Sequence, residues 1–185
     1  MVVIMRVITG KARGMRLLAP EGSDTRPTSD RVKEAMFSII QFEIDGARVL
    51  DLYSGTGQLG IEALSRGAGF CVFIEQSRAS VELIKTNLGK TGLAQQARVA
   101  VMDSLSFLKS TQERFDIILL DPPYATVALD AVLKLAAERL NETGVLICET
   151  ARKTATPEAV GAFTVKSEHR YGIASLSVYR RPNEE

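Results

Sequence analysis

The segment Val49-Leu50-Asp51-Leu52-Tyr53-Ser54-Gly55-Thr56-Gly57-Gln58-Leu59-Gly60 constrains the fold more than any other stretch of the chain. It reads as a short apolar strand, a glycine-rich turn and a helix that runs through Ile61 and Leu64 to a stop at Gly67. Glycines accept positive φ and let a ligand approach the backbone closely. Gly55, Gly57 and Gly60 have the G-x-G-x-x-G spacing of a dinucleotide-type βαβ unit, and Glu75 ends the next apolar run, Cys71-Val72-Phe73-Ile74. An acid at that point accepts hydrogen bonds from two ribose hydroxyls, each worth about 1.5–3 kcal/mol when charge-assisted. The pattern predicts an adenosine-bearing cofactor, and alone it leaves NAD and S-adenosylmethionine both open.

Three further features favour S-adenosylmethionine. Asp51 stands before the glycines, where it reaches the ammonium of a methionine moiety and would repel a pyrophosphate. Asp103-Ser104 follows a third apolar strand, residues 97–102, and suits the adenine amine and ring edge. Asp121-Pro122-Pro123-Tyr124 follows a fourth, Phe115-Asp116-Ile117-Ile118-Leu119-Leu120. A Pro-Pro pair after a strand is by itself an ordinary loop. Here it completes a set of polar groups at the carboxyl ends of four successive strands, where open α/β sheets bind ligands. Prolines have no N–H to donate and fix φ near −65°, so the turn presents its carbonyls as pure acceptors beside a carboxylate and a flat ring. That combination grips an exocyclic amine on a planar base.

The motifs resemble those of class I S-adenosylmethionine-dependent methyltransferases that carry an amine-methylating Asp-Pro-Pro-Tyr sequence. Two N-terminal stretches narrow the resemblance: Met5-Arg6-Val7-Ile8-Thr9-Gly10-Lys11-Ala12-Arg13-Gly14, and residues 25–37, beginning Thr25-Arg26-Pro27-Thr28-Ser29-Asp30-Arg31. With them the chain resembles the RsmD family, bacterial 16S rRNA guanine-N2 methyltransferases, over nearly its whole length. The resemblance implies a Rossmann-like α/β fold, with a seven-stranded, mostly parallel sheet, helices on both faces and a small N-terminal β-hairpin extension. It implies a cofactor site of Asp51, Ser54, Gly55, Thr56, Gly57, Glu75, Gln76, Asp103 and Ser104. Asp121, Pro122, Pro123 and Tyr124 would form the catalytic group, with Arg26 and Thr28 nearby. The Asp-Pro-Pro-Tyr motif alone is shared with adenine-N6 methylases of DNA or RNA, so the N-terminal signature carries the guanine assignment. An NAD-linked oxidoreductase and a non-catalytic RNA-binding module are the other classes to be tested.

The chain has 185 residues, which suits one methyltransferase domain at 30–185 preceded by a basic extension at 1–29. Net charge is only +1, but residues 1–20 hold Arg6, Lys11, Arg13 and Arg16 with no acid. Arg13, Arg16, Arg26 and Arg31 are therefore the candidates for phosphate contacts with RNA. Aromatics make up 6% of the chain, too few for a broad stacking platform, which leaves Tyr124 as the ring to stack on one base. Cys71 and Cys148 lie in apolar segments and read as buried thiols. A single histidine, His169, and the lack of a Cys-x-x-Cys spacing point to no metal. No apolar run approaches the ~20 residues of a membrane span, and the N-terminus lacks a signal-peptide core, so a cytoplasmic protein is expected. Nothing in the sequence suggests an obligate interface, which favours a monomer, and the resemblance implies 16S rRNA, within a small-subunit assembly particle, as the partner.

Strands and helices should alternate as 48–53, 58–66, 70–75, 77–90, 97–102, 104–110, 115–120, 126–140 and 144–149, after a helix at 30–41 capped by Thr28 or Ser29. The chain should begin with a hairpin within 2–19. It should end with another, residues 163–171 and 174–179 around Gly172.

Overall fold

The computed structural model describes residues 5–19, 29–123 and 128–182. Among the described residues the chain forms helix α1 (Asp30–Ile39) and then strand β1 (Arg48–Leu52), α2 (Gln58–Ser65), β2 (Phe70–Glu75), α3 (Arg78–Thr91) and β3 (Ala97–Val101). It continues through α4 (Ser104–Ser110), β4 (Phe115–Leu120), α5 (Leu129–Glu138) and β5 (Leu140–Ala151), and ends in β6 (Ala159–Val160), β7 (Phe163–Tyr171) and β8 (Ala174–Arg180). The strands make one sheet in the order β3-β2-β1-β4-β5-β8-β7-β6. β3 to β5 run parallel, whereas β8, β7 and β6 are antiparallel. The chain leaves β1 toward β2 and β3, then returns to place β4 on the other side of β1. That reversal opens a crevice at the carboxyl ends of β1 and β4.

Alternation along each strand divides the core. Val49, Phe73, Ile117, Leu119 and Ile147 face α1, α2 and α3. Leu50, Leu52, Ile74, Ile118, Leu120 and Leu146 face α4 and α5. With both faces covered, these strands read as unbroken apolar runs, as parallel strands do. α1 starts at Ser29, whose hydroxyl accepts a hydrogen bond from Val32 N at 3.3 Å; Thr28 lies outside the described residues.

The sheet has eight strands where seven were expected. The additional one, β6, is two residues long and pairs only with β7 at the edge, too short to leave an alternating pattern. β5 also begins at Leu140, before the expected 144, because Leu140 pairs with Phe115 ahead of a register shift. The C-terminal hairpin lies where expected. The N-terminal hairpin is present as a single antiparallel bridge, Arg6 to Arg16, flanked by Val7 N to Met15 O (3.0 Å) and Leu17 N to Met5 O (2.9 Å).

This hairpin lies along α2, fastened by polar contacts. The Glu62 carboxylate accepts from Ile8 N (2.7 Å), Thr9 N (3.0 Å) and Arg66 Nε (2.7 Å). Lys33, fully buried, donates to Arg6 O at 2.6 Å with its Nζ 3.9 Å from Glu62. At the tip, a Cβ on Gly10 would sit 1.8 Å from the Ser65 carbonyl oxygen, so only glycine permits this approach. Met5, Val7, Ala12 and Leu17 join the same core as α1 and α2.

Candidate cofactor and substrate site

Register alone gathers the acids. Asp51 stands opposite Phe73 on β2 and Leu119 on β4, so Glu75 and Asp121 lie two residues further toward the carboxyl edge on either side. Cys148 opposes Leu120, which sets Glu149 beside Asp121. The edge thus presents carboxylates from β2, β1, the end of β4 and β5.

Asp51 is 1% exposed and its Oδ2 accepts from Gly60 N at 2.9 Å. Burial pushes its carboxyl up to about 8; the Gly60 N–H opposes that shift, while the charges of Asp121 and Glu75 add to it. A positive group beside Asp51 would favour the ionised carboxylate and so oppose the shift that burial, Asp121 and Glu75 produce. The Gly60 bond needs α2 tight against the sheet, and a Cβ on Gly60 would lie 2.3 Å from Phe73 Cε1 and 2.8 Å from Cys71 Sγ. The third glycine of the spacing serves helix–strand packing.

Glu75 holds two backbone groups: Gly55 N donates to Oε2 (2.9 Å) and Ser77 N to Oε1 (2.8 Å). Each carboxylate oxygen keeps a further lone pair for a ligand hydroxyl. Ser54 is buried, and its hydroxyl donates to Asp51 O at 2.7 Å, bracing the turn out of β1. Gly57 N closes that turn on Ser54 O at 2.7 Å. Thr56 directs its hydroxyl to Met5 Sδ (3.0 Å) on the N-terminal hairpin. Gln76 is exposed beyond Glu75. Asp103 is exposed and caps α4, accepting from Ser106 N at 3.0 Å; hydrogen bonds from Ser106 lower its pKa. Ser104 is buried and hydrogen-bonded to the Tyr53 side chain.

Two residues outside the expected site also shape it: Tyr53, which from the sequence fits the sheet core or a cofactor wall, and Asn87, for which the sequence suggests packing or local hydrogen bonding. Tyr53 has φ 63°, a left-handed conformation that costs an aromatic residue about 1–3 kcal/mol. Its ring packs into the α4/α5 core, which holds it there. Asn87 of α3 is fully buried and bonds both the glycine turn and the N-terminal segment, a link between distant positions that no local pattern announces.

Asp121 is half-buried, Pro122 buried and Pro123 exposed at the carboxyl end of β4. Tyr124 and Arg26 lie outside the described residues. The remaining arginine candidates are exposed but dispersed. Arg13 is at the hairpin tip, where Lys11 N and Ala12 N bond Ser65 at the far end of α2, about 12 Å of helix from the glycine turn. Arg16 is halfway along the hairpin opposite Arg6, and Arg31 is in the first turn of α1. Among the described residues no group of three or more His, Cys, Asp or Glu is placed to hold a metal, and no helix is long and apolar enough to cross a membrane.

Comparison with known proteins covers almost the whole chain. The family described as Conserved hypothetical protein 95 matches residues 5–180. YlbH of Bacillus subtilis is 39% identical over 182 residues, which are 96% of this chain and 99% of that protein. The Haemophilus influenzae protein named Ribosomal RNA small subunit methyltransferase D is 34% identical over 183 residues, 95% and 93% of the two chains. The solved structure of yhhF from Escherichia coli superposes with a TM-score of 0.87 at 29% identity, covering 97% of this chain and 99% of that one.

Proposed function

The chain belongs to the Conserved hypothetical protein 95 family, the RsmD family, and from that premise we propose that it transfers a methyl group from S-adenosylmethionine to the exocyclic N2 of a guanine in 16S rRNA. The observation that carries the reading is the row of acids at the carboxyl ends of β2, β1 and β4, ending in Asp121-Pro122-Pro123. A cationic cofactor suits such a crevice and a pyrophosphate does not. S-adenosylmethionine supplies a methyl group already activated by the sulfonium charge.

Asp51 takes the ammonium of the methionine moiety, ionising as it does so. Glu75 accepts from the ribose hydroxyls through the lone pairs that Gly55 N and Ser77 N leave open. The backbone of Gly55, Thr56 and Gly57 forms the close wall, with Ser54 bracing it. Asp103 accepts from the adenine amine, with Gln76 and Ser104 beside it.

A guanine N2 amine is a weak nucleophile because its lone pair is delocalised into the ring. Asp121 and the Pro122 carbonyl accept its two N–H bonds and turn the lone pair toward the methyl carbon; Pro123 stiffens the turn and Tyr124 stacks on the base. The new N–C bond forms as the C–S bond breaks, S-adenosylhomocysteine leaves, and the methylated amine then gives one proton to Asp121 or to water. Alignment is the main contribution, since positioning supplies up to ~7–11 kcal/mol in such reactions. Arg13, Arg16, Arg26 and Arg31 meet RNA phosphates, the enzyme acting as a cytoplasmic monomer on a small-subunit assembly particle.

The test uses labelled S-adenosylmethionine and small-subunit particles lacking the modification, with digestion to nucleosides. N2-methylguanosine is the expected product. N6-methyladenosine would replace this reading with adenine methylation, and an absence of transfer despite cofactor binding would remove the particle as substrate.

A further inference from the structure

Asn87 bonds two parts of the chain that the proposed function assigns to different ligands. Its side chain is fully buried on α3. Nδ2 donates to Thr56 O at 3.0 Å, inside the glycine turn, and to Leu18 O at 3.1 Å. Oδ1 accepts from Leu18 N at 2.7 Å. Both donors and one acceptor lone pair of a single amide are therefore divided between the glycine turn and the end of the N-terminal hairpin. A second contact runs in parallel, because Thr56 Oγ1 reaches Met5 Sδ and Met5 pairs with Leu17. Leu18 itself is 42% exposed and contributes little packing, so backbone hydrogen bonds hold it.

A carbonyl and an N–H at Leu18 and a carbonyl at Thr56 share one planar amide. If the glycine turn shifts by a few tenths of an ångström as a ligand settles against it, the amide must rotate or one of its bonds must lengthen. A buried amide does not tolerate a lost bond cheaply. Asn87 therefore links Thr56 directly to Leu18, at the end of the arm that carries Arg13 and Arg16.

Resting on the proposed function, we propose that Asn87 is a positioning residue that couples cofactor occupancy to RNA engagement: cofactor against the glycine turn steadies the Leu18 end of the N-terminal arm, which Glu62 and Ser65 already hold nearer its tip, and so favours RNA. The coupling is reciprocal, so RNA tightens cofactor binding by the same factor.

The test measures the affinity of full-length protein for small-subunit particles lacking the modification, with and without saturating S-adenosylhomocysteine. Wild type should bind the particles at least about 5-fold tighter with the cofactor product present, within the usual range of such couplings. In Asn87→Ala the ratio should fall below about 2-fold, with S-adenosylhomocysteine affinity changed far less than the loss of a cofactor contact would require. A structural role alone would lower thermal stability and leave the ratio intact, and that outcome overturns the proposal. Hydrogen exchange on wild type tests it even if the variant does not fold. S-adenosylhomocysteine should slow exchange of the Leu18 amide by about threefold or more, and unchanged exchange across residues 5–19 overturns the coupling. Failure of the protein to bind S-adenosylhomocysteine or particles at all would instead bring down the proposed function, and the coupling with it.

Discussion

Cofactor affinity should depend on pH through Asp51 in a calculable way. In the free protein burial holds this carboxyl near 8, so at neutral pH most molecules carry it protonated. An ammonium placed beside it stabilises the ionised form, and binding then releases a proton. Affinity should rise nearly tenfold per pH unit well below 8 and level off above it, so that S-adenosylhomocysteine binds about 50-fold more weakly at pH 6 than at pH 8, a difference of about 2.3 kcal/mol. Calorimetry in buffers of different ionisation heat would count the proton directly, close to one released per ligand at pH 6 to 7. Asp51→Asn removes the titration and should give weak binding that is flat over the same range. Equal pH slopes in wild type and Asp51→Asn would refute the assignment, as would a flat wild-type profile. The ligand-free protein carries the opposite sign. A folded pKa above the unfolded one stabilises the protonated native state, so this contribution is complete below pH 4 and lost as pH rises toward 8. Without cofactor, wild type should therefore lose stability relative to Asp51→Asn across that window, at up to about 1.4 kcal/mol per pH unit.

Other perturbations follow from the same geometry. Gly60→Ala drives a methyl into the buried Phe73 ring, and overpacking of about 1–3 kcal/mol should exceed the helix-propensity gain of up to about 1 kcal/mol. Urea denaturation reads the balance, and an unchanged or raised midpoint would contradict the close packing. Glu62→Ala strands Lys33 in the core and frees Ile8 N and Thr9 N, so a loss of about 3–5 kcal/mol is expected, with faster proteolysis of the N-terminal hairpin. A loss below about 1 kcal/mol would mean that the hairpin is held by apolar contacts alone. Glu75→Ala removes the acceptor of Gly55 N together with the ribose contacts proposed for it, and should weaken S-adenosylhomocysteine by at least about tenfold, since a charge-assisted hydrogen bond is worth about 1.5–3 kcal/mol. Unaltered affinity in titration calorimetry would remove Glu75 from the site.

Much of the fold was legible because β1, β2 and β4 are covered on both faces and leave largely apolar runs with an acid near the carboxyl end of each. The same property made the row Glu75, Asp51, Asp121 readable, since a strand end fixes where the next side chain goes. What escaped is set by contacts distant in sequence. Glu62 and Ser65 grip the hairpin from more than 50 residues away, and Asn87 reaches Leu18 across 69. No periodicity encodes such pairs. The inward turn of the Ser54 and Ser104 hydroxyls depends on neighbouring carbonyls and on Tyr53, whose left-handed backbone resembles a glycine's. β6 exists because its two residues meet Phe163 and Thr164, and isolated from β7 they carry no strand signal.

The most direct test of the account is single-turnover methyl transfer by wild type and Asp121→Ala at saturating S-adenosylmethionine, with S-adenosylhomocysteine affinity measured alongside. The account predicts a rate loss of at least about 100-fold, in line with the removal of a group that positions the reacting atom, while cofactor affinity changes by less than about 3-fold. A variant that methylates guanine at near wild-type rate would contradict it, because the Asp121 carboxylate would then have no part in presenting the amine.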